Sequence, residues 1–359
     1  MPNKQVISFP HLGDYYIPIN YLLKNTLNSK VLTSPTITKK TIELGSKHSP
    51  DFVCIPFKYN LGNYIESLEN GANLLMQAGG GCRFGCYPEV QKKILEDLGY
   101  KFDFINLTKN GEFEFFNLYK IFKELNPKLT IFKFTHVLIL TFIMINYMDK
   151  IDDYIRQNIG FEVNKDEFTN LKKQMLAEYT NTHSLTKLTH LYFKYKKKFK
   201  RIPVNKHEKR LKIGIIGELY TSMEPFSSYF LEQELASMNI EVKRFTNATY
   251  LIFKKRFEKK KMLNYAKKYI KYQIGADGLD NVYRTLKLID EGYDGIIHIK
   301  PFGCTPEVGA IPIIDKICKE KKMPVIYFSF DNQTSIEGIK TRLEAFYDML
   351  NMKKEDKIE

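Results

Sequence analysis

The sequence predicts an α/β protein with two parallel-sheet lobes and a helical segment between them. Short apolar runs alternate with amphipathic stretches before residue 120, and the same alternation returns after residue 210. Between these regions the apolar residues follow no strand-like rhythm, and long helical periodicities dominate. Strand–helix alternation is typical of Rossmann-like or flavodoxin-like parallel sheets. We therefore expect an N-terminal α/β lobe (1–120), a helical middle segment with a basic linker (121–205) and a C-terminal α/β lobe (206–359).

Two strands and two helices are predicted in the N-terminal lobe. In chain order they are a strand at 50–57 (PDFVCIPF), a helix at 61–70, a strand at 72–77 (ANLLMQ) and a helix at 88–98. Gly71 and Gly99 follow the two helices directly, and glycine at this position adopts the left-handed backbone that ends many helices. The three consecutive glycines from Gly79 to Gly81 break the second strand.

The C-terminal lobe shows a more regular alternation. Its predicted strands are 211–218 (LKIGIIGE), 240–245 (IEVKRF), 293–302 (YDGIIHIKPF) and 323–330 (MPVIYFSF), and its predicted helices are 227–238, 282–291, 306–319 and 341–350. Continuous apolar runs of this length fit strands that are buried on both faces of a parallel sheet. Before this lobe, residues 194–209 read as a linker that Pro203 interrupts.

The composition narrows the class of protein. The chain has 359 residues, 43% of them hydrophobic, and only five cysteines, which argues against a disordered chain and against a disulfide scaffold. The N-terminal residues lack the apolar stretch of a signal peptide, and the apolar stretch Val137–Met148 is too short to span a bilayer. We therefore expect a cytoplasmic protein with reduced thiols and no membrane association.

The net charge of +14 does not point to nucleic acid. Only eight of the 55 basic residues are arginine, whereas recognition of bases and phosphates favours arginine. The lysines concentrate at 194–210 and 254–271, and the second of these stretches reads as a helix with a lysine-rich face. A solvated surface explains this pattern, and an anionic ligand such as a coenzyme A derivative, or an acidic electron-transfer partner, is the alternative.

Three cysteines are predicted at the ends of strands. Open parallel sheets bind ligands at the carboxyl ends of their strands. Cys54 lies at the end of the strand predicted over 50–57, Cys82 follows the glycine loop, and Cys304 follows the strand over 293–302. Cys318 instead lies inside a helix and is expected to belong to the core.

A short motif occurs twice. Cys86-Tyr-Pro-Glu89 and Cys304-Thr-Pro-Glu307 are both C-x-P-E sequences at the start of a predicted helix. Proline and an acidic residue suit the first turn, and the unpaired N–H groups there favour a thiolate or an anionic cluster next to the cysteine. Such thiols bind zinc or an iron–sulfur cluster, or are simply buried, and the spacing does not decide between these alternatives. Neither α/β lobe opens with the glycine motif of a dinucleotide site.

Four sequence blocks, three of which contain one of these cysteines, are similar to a known family. The blocks are C-I-P-F-K (54–58), G-x-C-R-x-G (80–85), P-F-G-C-x-P-E (301–307) and T-R-L-E-A-F (341–346). The chain resembles the 2-hydroxyacyl-CoA dehydratase and benzoyl-CoA reductase superfamily, and within it the branch related to acyl-CoA dehydratase activases. The middle stretch, 121–205, carries little of the resemblance.

The resemblance implies a [4Fe–4S] cluster, or the related double-cubane cluster, with Cys54, Cys82 and Cys304 as ligands. It also implies low-potential electrons delivered by an ATP-dependent activase, an acyl-CoA substrate, a dehydratase subunit as partner, a dimeric assembly and oxygen sensitivity. Cys86 departs from the family pattern, and it is either a fourth ligand or a bystander. The alternative function is a non-catalytic binding or scaffold partner of an activase or dehydratase subunit.

Several other side chains have both a functional and a structural interpretation. Arg83 and Lys58 could offset the charge of a cluster or hold a phosphate, or they could form salt bridges. Glu218 and Glu224 are candidate proton donors or helix-capping acids. Structural roles are expected for His298 in the core, Glu307 at a helix start, and Arg342 and Glu344 on a helix surface. Asp331, at the end of a predicted strand, is equally a candidate functional residue and a turn former.

Overall fold

Two four-stranded parallel sheets organise the chain, one in each half. In this computed structural model, the described residues are 5–79, 86–108, 113–182 and 184–355. The strands of the first sheet are β1 (Val6–Ser8), β2 (Lys30–Val31), β3 (Leu74–Gln77) and β4 (Asp103–Asn106). Those of the second are β5 (Lys212–Gly217), β6 (Glu241–Arg244), β7 (Gly295–Pro301) and β8 (Val325–Phe330). All pairings between these eight strands are parallel, so the predicted fold class is confirmed.

The two sheets share one strand order. It is β2-β1-β3-β4 in the first and β6-β5-β7-β8 in the second, so in both the chain-order sequence is second, first, third, fourth. In each sheet, the second strand lies on one side of the first strand, and the third strand lies on the other side. The chain therefore changes direction across the sheet between the first and third strands, and a switch point forms at their carboxyl ends. Ligands of open parallel sheets bind at such points.

Helices make up most of the remaining described chain. In the N-terminal half they are α1 (Tyr16–Thr26), α2 (Lys39–His48), α3 (Ile55–Glu69), α4 (Tyr87–Asp97) and α5 (Phe115–Leu125). The middle helices are α6 (Ile131–Asn158), α7 (Glu167–Thr180) and α8 (Leu185–Arg201). In the C-terminal half they are α9 (Leu219–Met223), α10 (Leu231–Ser237), α11 (Lys255–Ala266), α12 (Gly278–Asp290), α13 (Thr305–Glu320) and α14 (Ile336–Glu355).

The chain divides into two compact units, each built around one sheet. The N-terminal unit contains residues 1–145 and 179–188, and the C-terminal unit contains residues 146–178 and 189–359. Each has its own apolar core, centred on residues such as Ile7, Leu74 and Phe122 in the first and Ile213, Ile297 and Phe328 in the second. The predicted domain boundaries near residues 120 and 205 stay predictions.

Helix α3 corrects the prediction for residues 50–57. Ile55–Phe57 form the first turn of a helix and the residues before them form a turn, so this run is not a strand. Pro56 lies in the first helical turn, where a missing N–H costs nothing. Almost every residue from Ile55 to Ser67 is buried, so the helix lacks the polar face that identifies most helices in a sequence. Gly45 of α2 allows helices α2 and α3 to approach each other closely, since a Cβ there would lie 1.8 Å from the carbonyl oxygen of Lys58.

Three further predictions change in detail. Residues 194–201 belong to helix α8, so the linker predicted from residue 194 is helical over its first part. The helix predicted over 227–238 is interrupted at Tyr229 and Phe230, which both have positive φ angles, and only Leu231–Ser237 is α-helical. Strands β1, β2 and β4 were not predicted.

Helix α6 is longer than the apolar stretch Val137–Met148 suggested. It has 28 residues, and by length and composition alone it could cross a membrane. Phe134, Val137, Leu140 and Met144 on this helix are nevertheless buried within the protein, as expected of a core helix. The cytoplasmic location stays a prediction.

Candidate functional site

Cys54 lies at the N-cap of helix α3 in the N-terminal unit. Its backbone is extended, and its side chain makes no capping hydrogen bond to the helix. The Cys54 Sγ atom instead lies 2.9 Å from the Tyr87 hydroxyl oxygen at the start of helix α4. The first turn of a helix presents unpaired N–H groups and the positive end of its dipole, which favour a thiolate.

The first turns of helices α3 and α4 pack against each other. The rings of Phe57 and Tyr87 meet edge to face with their centroids 4.8 Å apart, and Gln91 Nε2 donates to the Phe57 carbonyl oxygen at 3.1 Å. Cys86, the exposed N-cap residue of α4, is the chain neighbour of Tyr87, whose hydroxyl contacts Cys54. Cys82 and Arg83, which were predicted as a ligand and a charge partner, lie outside the described residues.

Cys304 lies at the N-cap of helix α13 in the C-terminal unit. It follows strand β7 through a tight turn in which Gly303 has a φ angle of 71°, and the Cys304 N–H donates to the Pro301 carbonyl at 3.2 Å. A side chain at residue 303 would strain this left-handed conformation. The turn holds the cysteine at the carboxyl end of a central strand, where the sequence predicted it.

Lys300, which is buried next to this turn, was not among the predicted site residues. Its side chain is 5% exposed. Burial lowers its pKa from the usual value, while the neighbouring charges of Cys304 and Glu307 oppose that shift. A lysine inside the strand predicted over 293–302 was the available sign in the sequence, because a buried cation needs an anionic or polar partner.

Beneath the Cys304 turn, Glu307 is the centre of a buried polar network. The Glu307 carboxylate lies 2.7 Å from His298 Nε2 and accepts from Asn281 Nδ2 at 3.0 and 2.8 Å. All three side chains are fully buried. Glu307 therefore joins strand β7 to helices α12 and α13, in addition to the role at a helix start that was expected for it. His298 is a core histidine, as predicted.

Glu218 follows strand β5 and caps the short helix α9. Its carboxylate accepts from the backbone N–H groups of Tyr220 and Thr221 at 3.0 and 2.8 Å. Burial raises its pKa to about 7, although these hydrogen bonds favour the ionised form. The capping interpretation is therefore the one that these contacts show, and the role of proton donor stays a prediction.

The remaining predicted residues have structural contacts. Glu224 is buried and accepts from the Phe226 N–H, and Lys58 is buried in helix α3. Asp331 accepts from the Gln333 N–H and the Thr334 hydroxyl, as a turn former does. Cys318 is buried, and desolvation raises its pKa to about 12, so this thiol stays protonated.

Arg342 and Glu344 lie exposed on helix α14, as predicted. The Arg342 guanidinium donates to the Tyr327 carbonyl oxygen at 2.7 Å and lies 4.7 Å from the centre of the Phe328 ring. This arginine therefore holds the last helix against strand β8.

The cysteines offer suitable donors for an iron–sulfur cluster. Cys54, Cys86 and Cys304 each occupy the N-cap of a helix, and the positive end of a helix dipole favours an anionic group such as a cluster. Among the residues that the structure describes, no group of three or more His, Cys, Asp or Glu side chains could hold a metal ion. Because Cys82 is outside those residues, the ligand set stays a prediction.

The sequence of the chain matches a known protein family. The family model of the 2-hydroxyglutaryl-CoA dehydratase D-component matches residues 116–350, about two thirds of the chain. The chain belongs to this family. A comparison with curated proteins found no match.

Membership confirms the superfamily that the sequence blocks indicated, and it identifies a dehydratase-type component of an acyl-CoA dehydratase system. The matched range includes the Cys304 and 341–346 blocks and also the middle helices, which carried little of the resemblance. Cys54 and Cys82 precede the matched range, so their assignment depends on the C-I-P-F-K and G-x-C-R-x-G blocks. Components of this family generally bind iron–sulfur clusters and work with an activase or another dehydratase component.

Proposed function

We propose that this protein is the iron–sulfur component of an acyl-CoA dehydratase or reductase system, in the activase-related branch, and that Cys54, Cys82 and Cys304 bind a [4Fe–4S] or double-cubane cluster. It receives low-potential electrons from an ATP-dependent activase. Family membership together with cysteines at helix N-caps supports this proposal.

Each described residue has a separate task in this proposal. The N-termini of α3 and α13 stabilise the thiolates of Cys54 and Cys304. Tyr87 donates a hydrogen bond to the Cys54 sulfur when that sulfur is a thiolate, and hydrogen bonds to ligand sulfurs raise the reduction potential of a cluster. When bound, the cluster supplies single-electron chemistry at low potential. Glu218 holds or releases a proton near neutral pH.

Cysteine substitutions in anaerobically reconstituted protein test the proposal. We expect about four irons and four sulfides per chain for a [4Fe–4S] cluster, and a brown protein with an EPR signal after reduction. Cys54→Ala, Cys82→Ala and Cys304→Ala should each lose the cluster, whereas Cys318→Ala, the matched control, should keep it. Retention of iron in all three variants would refute the ligand assignment.

Cys86→Ala decides whether the coordination is closed. Loss of iron identifies Cys86 as a fourth ligand and favours electron transfer, while retention leaves one position for a substrate oxygen. A colourless, iron-free wild type that still forms a stable complex with an activase or dehydratase subunit supports the scaffold function instead. Zinc in metal analysis indicates a structural site.

A further inference from the structure

A pocket lies in the C-terminal unit at the carboxyl end of edge strand β6. Its volume is about 330 Å³, at the lower end of the range of small-molecule sites. Residues from the second half of helix α6, strand β6 and helices α11 and α12 line it. None of the cysteines or acidic residues discussed above is among the lining residues, so the pocket is independent of the proposed cluster.

The lining is strongly basic. Seven cationic residues line the pocket, namely Lys150, Arg156, Lys243, Arg244, Lys254, Arg284 and Lys287, against the acidic residues Asp149, Asp153 and Glu258. Three of the eight arginines of the chain therefore meet in one place. An excess of cations inside a concave site raises the local potential and attracts anions.

Two of these arginines have their charge compensated. Arg156 Nε donates to one oxygen of the Glu232 carboxylate at 3.0 Å, and Arg244 Nη1 donates to the other at 2.8 Å. Arg156 also pairs with Asp153 at 2.8 Å. These ion pairs build the wall of the pocket.

Arg284 is different because it is held rigidly and retains an unsatisfied donor. Its side chain is 2% exposed, and its guanidinium lies 4.6 Å from the centre of the Tyr250 ring. Nη1 donates to the Thr246 hydroxyl at 2.6 Å, whereas Nη2 has no hydrogen-bond partner and lies 3.9 Å from Asp280 Oδ1. Asp280 also accepts from the Tyr250 hydroxyl, so it only partly compensates the guanidinium.

Thr249 supplies a second unsatisfied donor in the same lining. Its side chain is 8% exposed, and its hydroxyl has no hydrogen-bond partner. Its backbone N–H donates to the Asp149 carboxylate at 2.7 Å, so the backbone of Thr249 is fixed next to a buried hydroxyl that makes no hydrogen bond. A buried polar atom without a partner is costly, and a ligand that accepts a hydrogen bond removes that cost.

We propose that this pocket binds a small phosphorylated molecule through its phosphate group, with Arg284 and Thr249 as hydrogen-bond donors and Lys287 as a charge partner. Guanidinium, hydroxyl and ammonium groups are the donors that phosphate oxygens prefer. A phosphate group alone does not fill 330 Å³, and the aromatic rings of Phe245, Tyr250 and Tyr283 in the lining offer apolar surface to an organic portion of the ligand.

Calorimetric titration of the full chain with inorganic phosphate tests this site. Thr249→Val is the sharpest variant because valine has the same shape and the removed hydroxyl leaves no protein partner behind. It should weaken binding about tenfold, as expected for one hydrogen bond to a charged group. Lys287→Gln should weaken it about fivefold and reduce the salt dependence.

Lys261→Gln is the matched control, since Lys261 lies exposed on helix α11 and does not line the pocket. Binding to this variant should equal that of the wild type. Absence of binding at about 10 mM phosphate, or equal affinity in the wild type and both pocket variants, would overturn the proposal. Tighter binding of adenosine 5′-monophosphate than of phosphate, with the same loss in Thr249→Val, identifies an organic phosphate as the ligand, and equal affinity identifies free phosphate.

Discussion

The two sheets place the same motif at the same topological position but surround it differently. In each unit, the C-x-P-E sequence begins the helix that follows the third strand, α4 after β3 and α13 after β7. Both cysteines are N-cap residues, and both prolines lie in the first turn. The glutamates differ, since Glu89 is exposed whereas Glu307 is fully buried.

The difference shows how one local sequence serves two purposes. At Glu89, the acidic side chain favours the helix N-terminus through its charge alone. At Glu307, the same position carries a buried carboxylate whose partners, His298 and Asn281, come from other elements. In the C-terminal unit a buried polar network therefore lies beneath the start of helix α13, whereas in the N-terminal unit the first turn of helix α4 packs on α3 through the contact between Phe57 and Tyr87.

Gly45→Ala tests the packing of helix α2 against helix α3, which has Cys54 at its N-cap. A Cβ at residue 45 would lie 1.8 Å from the Lys58 carbonyl oxygen, so helices α2 and α3 must separate. We expect the free energy of unfolding to fall by about 3 kcal/mol, measured by urea denaturation. In Gly309→Ala, a helical glycine with no atom near the added Cβ, the stability should stay equal or rise by up to about 1 kcal/mol. Equal effects of the two substitutions would contradict the close packing of α2 and α3.

Glu307→Gln and Glu89→Gln compare the two motif glutamates directly. Glutamine at residue 307 has one accepting oxygen where glutamate has two. It therefore cannot accept hydrogen bonds from Asn281 and His298 through both terminal atoms, and one buried polar atom loses its partner. Urea denaturation should show a loss of about 2 to 3 kcal/mol for Glu307→Gln and less than about 0.5 kcal/mol for Glu89→Gln. A comparable loss in both variants would mean that the two motifs are equivalent after all.

Glu218 makes the stability of the C-terminal unit depend on pH. Its folded pKa of about 7 lies above the usual value of 4.5, so the folded protein binds this proton more tightly than the unfolded chain. The contribution of Glu218 to the free energy of unfolding is therefore favourable at low pH and is lost as the pH rises from 4.5 to 7. Between pH 5 and pH 8 we expect a decrease on the order of 2 kcal/mol.

The matched variant is Glu218→Gln. The urea midpoints of this variant at pH 5 and pH 8 should no longer show the decrease in stability that Glu218 causes. In the N-terminal sheet, the strand in the same place, β1, is followed by Phe9 and Pro10, which do not titrate. An unchanged slope in Glu218→Gln would assign the pH dependence to other groups.

The sequence predicted the C-terminal unit better than the N-terminal one for a physical reason. Strands β5, β7 and β8 are apolar runs of six or seven residues, while β1 and β2 have three and two residues and leave almost no pattern. Helix α3 was misread because burial on all sides removes its amphipathic period.

Some features of the candidate site could likewise be predicted from the sequence, and others could not. The placement of Cys304 at the end of a strand followed from the chain order, because the strand and the cysteine are neighbours in sequence. The partners of Glu307 and the lining of the basic pocket could not be predicted, since Arg156, Thr249 and Arg284 come from three distant parts of the chain.

Pro88→Ala and Pro306→Ala examine what the two motifs share. Each proline lies in the first turn of its helix, where its fixed φ angle costs no hydrogen bond and restricts the unfolded chain. Because this contribution depends on the local backbone and not on the surrounding network, the two substitutions should reduce the free energy of unfolding by a similar amount, about 0.5 to 1 kcal/mol. Thermal and urea denaturation of both variants measure it. A clearly larger loss at Pro306 would show that the buried network beneath Cys304 also depends on the rigidity of the first turn, and the likeness between the two motifs would then end at their sequence.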